Sequence, residues 1–283
     1  MSLIVKICGL STRETLDVAL DAGADMVGFV FFPPSPRHLS LEMARELGKQ
    51  ARRRASKVAL TVDADDATLS NIVETLQPDL LQLHGKETVA RLRDIKQKFG
   101  LPVMKAIAVE TVADLAGLPG YADVADRILF DARAPKEATR PGGLGAVFDW
   151  HVLEQLDLKR PFMVSGGLHV ENVAEAVRVT RAGGVDVSSG VERTPGHKDP
   201  EMIRAFIRAA RATDLTSPLP VYGERSDRSC DPGEGEPQRS PLSPNLPQEP
   251  LTPTLPERAS LVSPPQERGE GAETTAPRAQ QKS

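Results

Sequence analysis

The chain has 283 residues, with 35 Lys and Arg against 39 Asp and Glu and a formal net charge of -4, so it lacks the basic footprint of a nucleic-acid binder. A small anion held by backbone amides is still allowed, whereas no apolar run approaches the roughly 20 residues that cross a bilayer and no signal peptide opens the chain. Its two cysteines, Cys8 and Cys230, lie in segments of different character, which argues against a disulfide framework and for a reducing, cytoplasmic setting.

In chain order, the first apolar β-rich run is Leu3 to Ile7, ending at Cys8 and Gly9. A thiol where a strand meets a turn can ionise and serve as base or nucleophile, or it can simply pack as a small hydrophobe. Apolar residues at three and four spacing then predict a helix over Thr12 to Ala22, followed by the second run, Met26 to Phe31. Beyond it, Pro33-Pro34-Ser35-Pro36-Arg37-His38 holds three prolines, which stiffen the loop so that Arg37 offers its fork of donors, suited to a carboxylate, at low entropic cost. An ordinary surface arginine is the alternative. A helix over Leu41 to Arg52 leads to the third run, Val58 to Val62, and a helix over Ala67 to Leu76 leads to the fourth, Leu80 to Leu83. Gln82 and His84 close that run. A lone histidine is no metal site, and the chain shows no convincing ligand set for zinc or iron.

A helix over Thr88 to Phe99 precedes the fifth run, Val103 to Ile107, and the sixth is Ile128 to Phe130. Asp131 follows at once. A carboxylic acid among apolar neighbours suits proton donation, although an Asp here could also brace its loop. The glycine-rich stretch Pro141-Gly142-Gly143-Leu144-Gly145 reads as a lid or as a flexible connector. Trp150 to Leu156 is the best helix candidate before the seventh run, Phe162 to Val164, which ends in Ser165-Gly166-Gly167-Leu168. Helix Val170 to Thr180 and the eighth run, Val185 to Val187, follow, then Ser188-Ser189-Gly190-Val191 and a last helix over Pro200 to Ala212.

Eight continuously apolar runs alternating with amphipathic helices predict a (β/α)₈ TIM barrel over residues 1–212, with a doubly wound open sheet as runner-up. In such a barrel the site forms at the C-terminal strand ends, so the residues just after each run become the candidates. The loops after strands seven and eight are where these barrels most often hold phosphate, through backbone amides near glycines. From about Thr213 the composition turns to Pro, Ser, Glu and Gln, and more than half of the 24 prolines lie beyond that point. Residues 213–283 therefore read as a disordered tail. A PxxP spacing at Pro244-Asn245-Leu246-Pro247 is its only hint of a docking role.

At this point the chain resembles the phosphoribosylanthranilate isomerase family from about Leu3 to Arg211. The motifs run in order through Lys6-Ile7-Cys8-Gly9, Gly28-Phe29-Val30-Phe31 with Ser35-Pro36-Arg37, Gln82-Leu83-His84-Gly85 and Phe130-Asp131-Ala132. They continue through Phe148-Asp149-Trp150, Ser165-Gly166-Gly167-Leu168, and Asp186-Val187-Ser188-Ser189-Gly190-Val191-Glu192 with Pro195-Gly196. The resemblance implies a cofactor-free Amadori rearrangement of N-(5-phosphoribosyl)anthranilate to 1-(2-carboxyphenylamino)-1-deoxyribulose 5-phosphate in tryptophan biosynthesis. It further implies Asp131 as general acid, Cys8 as general base and Arg37 as holder of the anthranilate carboxylate. Gly166, Gly167, Ser189 and Gly190 would cradle the phosphate, while Gln82 and His84 would face the substrate from strand four. Leu144 and the run Thr61-Val62-Asp63 depart from the family pattern. The related histidine-pathway isomerase resembles a pair of carboxylates across a barrel, but here the first-strand position holds Cys8. An inactive barrel docking partners through its tail is the reading from a different class. The only partner expected is a small phosphorylated substrate, without nucleic acid or membrane, and the helix faces do not choose between a monomer and a homodimer.

Overall fold

A computed structural model describes residues 2–213 except 136, 155, 157, 159 and 160. The disordered-tail expectation, Cys230 and the PxxP spacing lie outside the described residues. Eight parallel strands close into a barrel in sequence order: β1 (Ile4–Cys8), β2 (Met26–Phe31), β3 (Ser56–Thr61), β4 (Leu80–Leu83), β5 (Val103–Val109), β6 (Arg127–Ala132), β7 (Phe162–Val164) and β8 (Gly184–Val187). β8 pairs back onto β1, with Lys6 opposite Asp186. Helices α1 (Arg13–Asp21), α2 (Leu41–Ala51), α3 (Asp66–Leu76), α4 (Val89–Phe99), α5 (Leu118–Val124), α6 (Val173–Thr180) and α7 (Pro200–Arg211) connect the strands or follow them. None of these helices is long and apolar enough to cross a membrane.

Side chains just before the helices fix several starts. Thr12, Ser40, Asp65 and Thr88 each accept a backbone N–H from the first turn, contacts worth about 1 kcal/mol apiece. Alternation along each strand sorts the barrel into an outside and an inside. On β1, Val5 and Ile7 pack outward with α1 and α2 residues such as Leu16 and Leu47, while Ile4 belongs to an inner layer with Met26, Val58, Leu80, Met104, Leu129 and Met163. That plug makes the barrel a filled core rather than a pore. Above it a smaller apolar layer of Cys8, Val30 and Leu60 reaches the mouth.

The element boundaries differ from expectation where pairing or packing decides them. Cys8 and Asp131 lie inside β1 and β6 rather than beyond them, because the ladder still pairs Cys8 with Gly28 and Asp131 with Ala108. Between β5 and β6 the chain makes a 3₁₀ turn (Val112–Leu115) and α5, for which no helix was expected; seven residues carrying Pro119 and Gly120, of which only Leu118 is buried, give almost no helical period. The expected helix at Trp150 to Leu156 is a single 3₁₀ turn, Trp150–Leu153, and α6 starts three residues later than the pattern suggested. After a 3₁₀ turn at Ser189–Val191, an unforeseen hairpin of β9 (Glu192–Thr194) and β10 (His197–Lys198) folds over the mouth side of β8.

Candidate active site

The strand ends bring Cys8, Arg37, His84, Asp131, Gly166, Gly167 and Ser189 around one cavity at the barrel mouth. Cys8 is buried, and its Sγ shares a niche with the Lys6 ammonium. A Cβ added to Gly28 on the neighbouring strand would stand 2.8 Å from the sulfur and 3.1 Å from Lys6 Nζ, so the glycine makes the room in which they meet. Lys6 Nζ donates to Asp186 Oδ1 at 2.8 Å, and Ser188 Oγ donates to the Cys8 carbonyl at 3.2 Å. Burial pushes the Cys8 thiol up, and Lys6 pulls it down, with Asp186 adding to the rise and Lys198 opposing it. Burial also works against the Lys6 ammonium, but Asp186 and Cys8 hold its pKa above the ordinary lysine value.

The next turn carries Arg37 into the same corner. Gly9, at φ +76°, leaves a seat for its side chain, since a Cβ there would lie 2.6 Å from Arg37 Cδ. Arg37 is only 3% exposed, and its fork grips an internal carboxylate: Nε donates to Glu192 Oε1 and Nη2 to Glu192 Oε2, both at 2.7 Å. A guanidinium this deep needs a counter-charge, which the β9 residue supplies. The bidentate match expected for a ligand is therefore made within the protein, and Nη1 is the donor without a partner among the described residues. Lys198 Nζ donates to the same Glu192 Oε1 at 2.8 Å and to the Ser188 carbonyl at 2.8 Å. Burial draws Lys198 down to about 8 against the pull of Glu192. Glu192 itself is held below the usual carboxylate range, because Arg37 and Lys198 outweigh its burial.

Across the mouth, Asp131 is 4% exposed and accepts the Ala132 N–H through Oδ1 at 3.0 Å, while its Oδ2 lies 3.1 Å from His84 Nε2. Gln82 does not line the cavity. It is fully buried one layer below, where its Nε2 lies 3.2 Å from His84 Nδ1, so that the other ring nitrogen faces Asp131. Its Oε1 has no hydrogen-bond partner among the described residues. The loop carrying His84 is pinned by Glu87, which accepts the Gly85 and Asp63 N–H groups and pairs with buried Lys105 at 2.7 Å.

The glycine-rich stretch is a cover. The Gly143 carbonyl accepts from Arg37 Nη2 at 3.1 Å, and a Cβ on Gly142 would stand 2.5 Å from Asp131 Oδ2, so the strip lies directly over acid and guanidinium. Leu144, on this strip, stands at the rim and is partly exposed. At the far end, Gly166 (φ +86°) approaches the Ala132 amide too closely for any side chain, and Asn172 Nδ2 donates to the Gly167 carbonyl at 3.0 Å, which sets that turn. Gly190 does not line the cavity; a Cβ there would overlap the Leu168 carbonyl, so its role is to let the two loops close on each other. The amides of Gly166, Gly167, Ser189 and Gly190 donate to no protein acceptor among the described residues. Adjacent unsatisfied amides of this kind suit an anion.

Sequence reasoning assigned no role to Lys6, Asp186, Glu192 or Lys198. A charge in the inward register of an apolar strand was the available signal for Lys6 and Asp186. Glu192 and Lys198 carried none, because the hairpin that brings them in was not foreseen.

The family model for N-(5'phosphoribosyl)anthranilate (PRA) isomerase matches residues 5–209. The N-(5'-phosphoribosyl)anthranilate isomerase of Bradyrhizobium diazoefficiens is 81% identical over 217 residues, which cover 77% of this chain and 97% of that protein. The Nitrobacter hamburgensis enzyme of the same name is 73% identical over 215 residues, covering 76% and 96%. Among solved structures, phosphoribosyl anthranilate isomerase from Thermotoga maritima superposes with a TM-score of 0.67 at 36% identity, covering 74% of this chain and 98% of that one. A phosphoribosyl anthranilate isomerase in complex with reduced 1-(o-carboxyphenylamino)-1-deoxyribulose 5-phosphate gives 0.64 at 34% identity, with coverage of 74% and 98%. On the strength of this match and of the barrel that carries it, the chain belongs to the N-(5'-phosphoribosyl)anthranilate isomerase family.

Proposed function

We propose that Asp131 and Cys8 are the acid and base with which this chain isomerises N-(5'-phosphoribosyl)anthranilate, the reaction of its family in tryptophan biosynthesis. The observation that carries the reading is their placement: the two groups stand on β6 and β1, on different sides of one cavity that also holds the unsatisfied amides of Gly166, Gly167 and Ser189, with that of Gly190 next in the chain. A 5-phosphate on the amides of Gly166, Gly167, Ser189 and Gly190 lays the ribose across the mouth. Asp131 then gives its proton to the ring oxygen, the C1'–O bond breaks, and the anthranilate nitrogen supplies the electron pair of a Schiff base. Cys8 as thiolate takes the C2' proton, and the resulting enolamine tautomerises to the ketone. Arg37 directs Nη1 at the anthranilate carboxylate, and Val30, Phe32 and Leu60 offer its ring an apolar wall. His84 acts from beside the acid, Gln82 from beneath it. Phosphate and carboxylate anchoring provide orientation, and each proton transfer about 10²–10⁴ in rate.

The catalytic unit in this reading is the barrel over 1–212, supported by relatives whose nearly full length matches about three quarters of this chain. The neighbouring solved enzyme with a reduced product analogue supports a phosphorylated ligand at the mouth. A few cysteines and an anionic metabolite favour a cytoplasmic setting.

The test is kinetic. Cys8→Ala and Asp131→Asn each lower kcat by about 10²-fold or more with circular dichroism unchanged. Near-normal kcat in either variant removes that residue from its role, and preferential turnover of the histidine-pathway analogue would overturn the substrate assignment.

A further inference from the structure

The mechanism above leaves unused a buried charge pair at the seam of the barrel. Lys6 is fully buried, stands opposite Asp186 in the β1–β8 register and binds its Oδ1 at 2.8 Å. Its ammonium also lies beside Cys8, two residues along the same inward face: a Cβ placed on Gly28 would stand 3.1 Å from Nζ and 2.8 Å from Sγ. One ammonium thus faces both a carboxylate and a sulfur. We propose that Lys6 is the counter-ion of the Cys8 thiolate and that Asp186 competes with the sulfur for it, so the pair acts as a positioning device that sets the strength of the base.

The inference rests on Cys8 being the base. A buried ion pair of good geometry can also be nothing more than a pin between the first and last strands. The surroundings favour the first view. β2 presents Gly28 and Val30 to the cysteine, β1 presents Lys6, β8 presents Asp186, and the β9–β10 hairpin presents Lys198, with Arg37 and Glu192 behind it. Three cations, Lys6, Lys198 and Arg37, face two carboxylates, Asp186 and Glu192, and a thiolate balances that surplus. Burial and the Asp186 carboxylate oppose ionisation and hold the thiol above its ordinary value, and Lys6 is the strongest group working the other way. After proton abstraction the sulfur is neutral, and the ammonium keeps Asp186 as its partner.

The two members of the pair should therefore act on Cys8 with opposite signs, which a structural pin would not do. In the full chain carrying Cys230→Ser, the pH midpoint of Cys8 is read from the ultraviolet absorbance of the thiolate and from the rate of iodoacetamide alkylation. Lys6→Met raises that midpoint by about one unit or more, and Asp186→Asn lowers it. Midpoints that stay in place, or that move in the same direction, overturn the proposal. Should Lys6→Met not fold, Asp186→Asn decides alone: a fall supports the competition, and no change or a rise refutes it. The titration is made on free protein, so it stands apart from the kinetics of Cys8→Ala. Normal turnover by that variant would remove the base and leave the ion-pair chemistry measured.

Discussion

The candidate base and the candidate acid face one cavity from different electrostatic worlds. Around Cys8 lie Lys6, Asp186, Lys198, Arg37 and Glu192, a linked set of full charges. Around Asp131 lie a backbone amide, an imidazole and, one layer down, an amide side chain. The difference follows from the tasks. A buried thiol gives up its proton only if cations offset the lost solvation, whereas a carboxylic acid that must hold a proton until the ring oxygen needs it is better served by dipoles than by a neighbouring ammonium.

That contrast can be broken from either side. The largest effect is expected from Glu192→Gln, which leaves Arg37 and Lys198 buried without a full counter-charge. Thermal unfolding should report a loss of about 3–5 kcal/mol, and KM should rise as the guanidinium is released. An unchanged melting temperature would mean that the cluster tolerates its own surplus charge. On the acid side, His84→Ala removes the ring beside Asp131, so kcat should drop about tenfold while the alkylation midpoint of Cys8 stays put. A shifted midpoint would show that the two sides are not electrically separate. Gln82→Leu sharpens the same point with a smaller effect. It deletes an unsatisfied buried oxygen, so stability holds or improves, yet kcat falls a few-fold because His84 loses the donor that fixes its tautomer. Equal losses of stability and rate would mean that Gln82 serves packing alone. The smallest effect belongs to deletion of residues 216–283, for which neither kcat nor melting temperature should move; a fall of several degrees would give the tail a role in holding the barrel.

What could be seen in the sequence was whatever depends on local order. Eight apolar runs, the amphipathic helices between most of them, and Cys8 and Asp131 at strand ends all follow from neighbours a few positions away. The fold class and the two proton-transfer candidates were accordingly legible. What could not be seen depends on closure. Lys6 meets a carboxylate 180 positions later, and Arg37 meets one 155 positions later, so no window of sequence contains either pair. Gln82 looked like a group facing the mouth because period-two alternation tells inward from outward but not high from low. Gly190 combines two demands of which the sequence shows only one: a glycine beside a serine fits an anion loop, whereas the tight crossing against Leu168 that it also permits appears only in the fold.

The register of β1 against β8 also bears on how the molecule comes into being. The residue that holds the thiolate's counter-ion in place belongs to the last strand to leave the ribosome, and the hairpin with Glu192 and Lys198 comes later still. A chain that has laid down β1 through β7 carries its cysteine beside a lysine with no carboxylate to share. Chemistry in this barrel therefore has to wait for β8 and the hairpin after it, and any product cut short before Asp186 is born without a tuned base, however much of its framework has already packed.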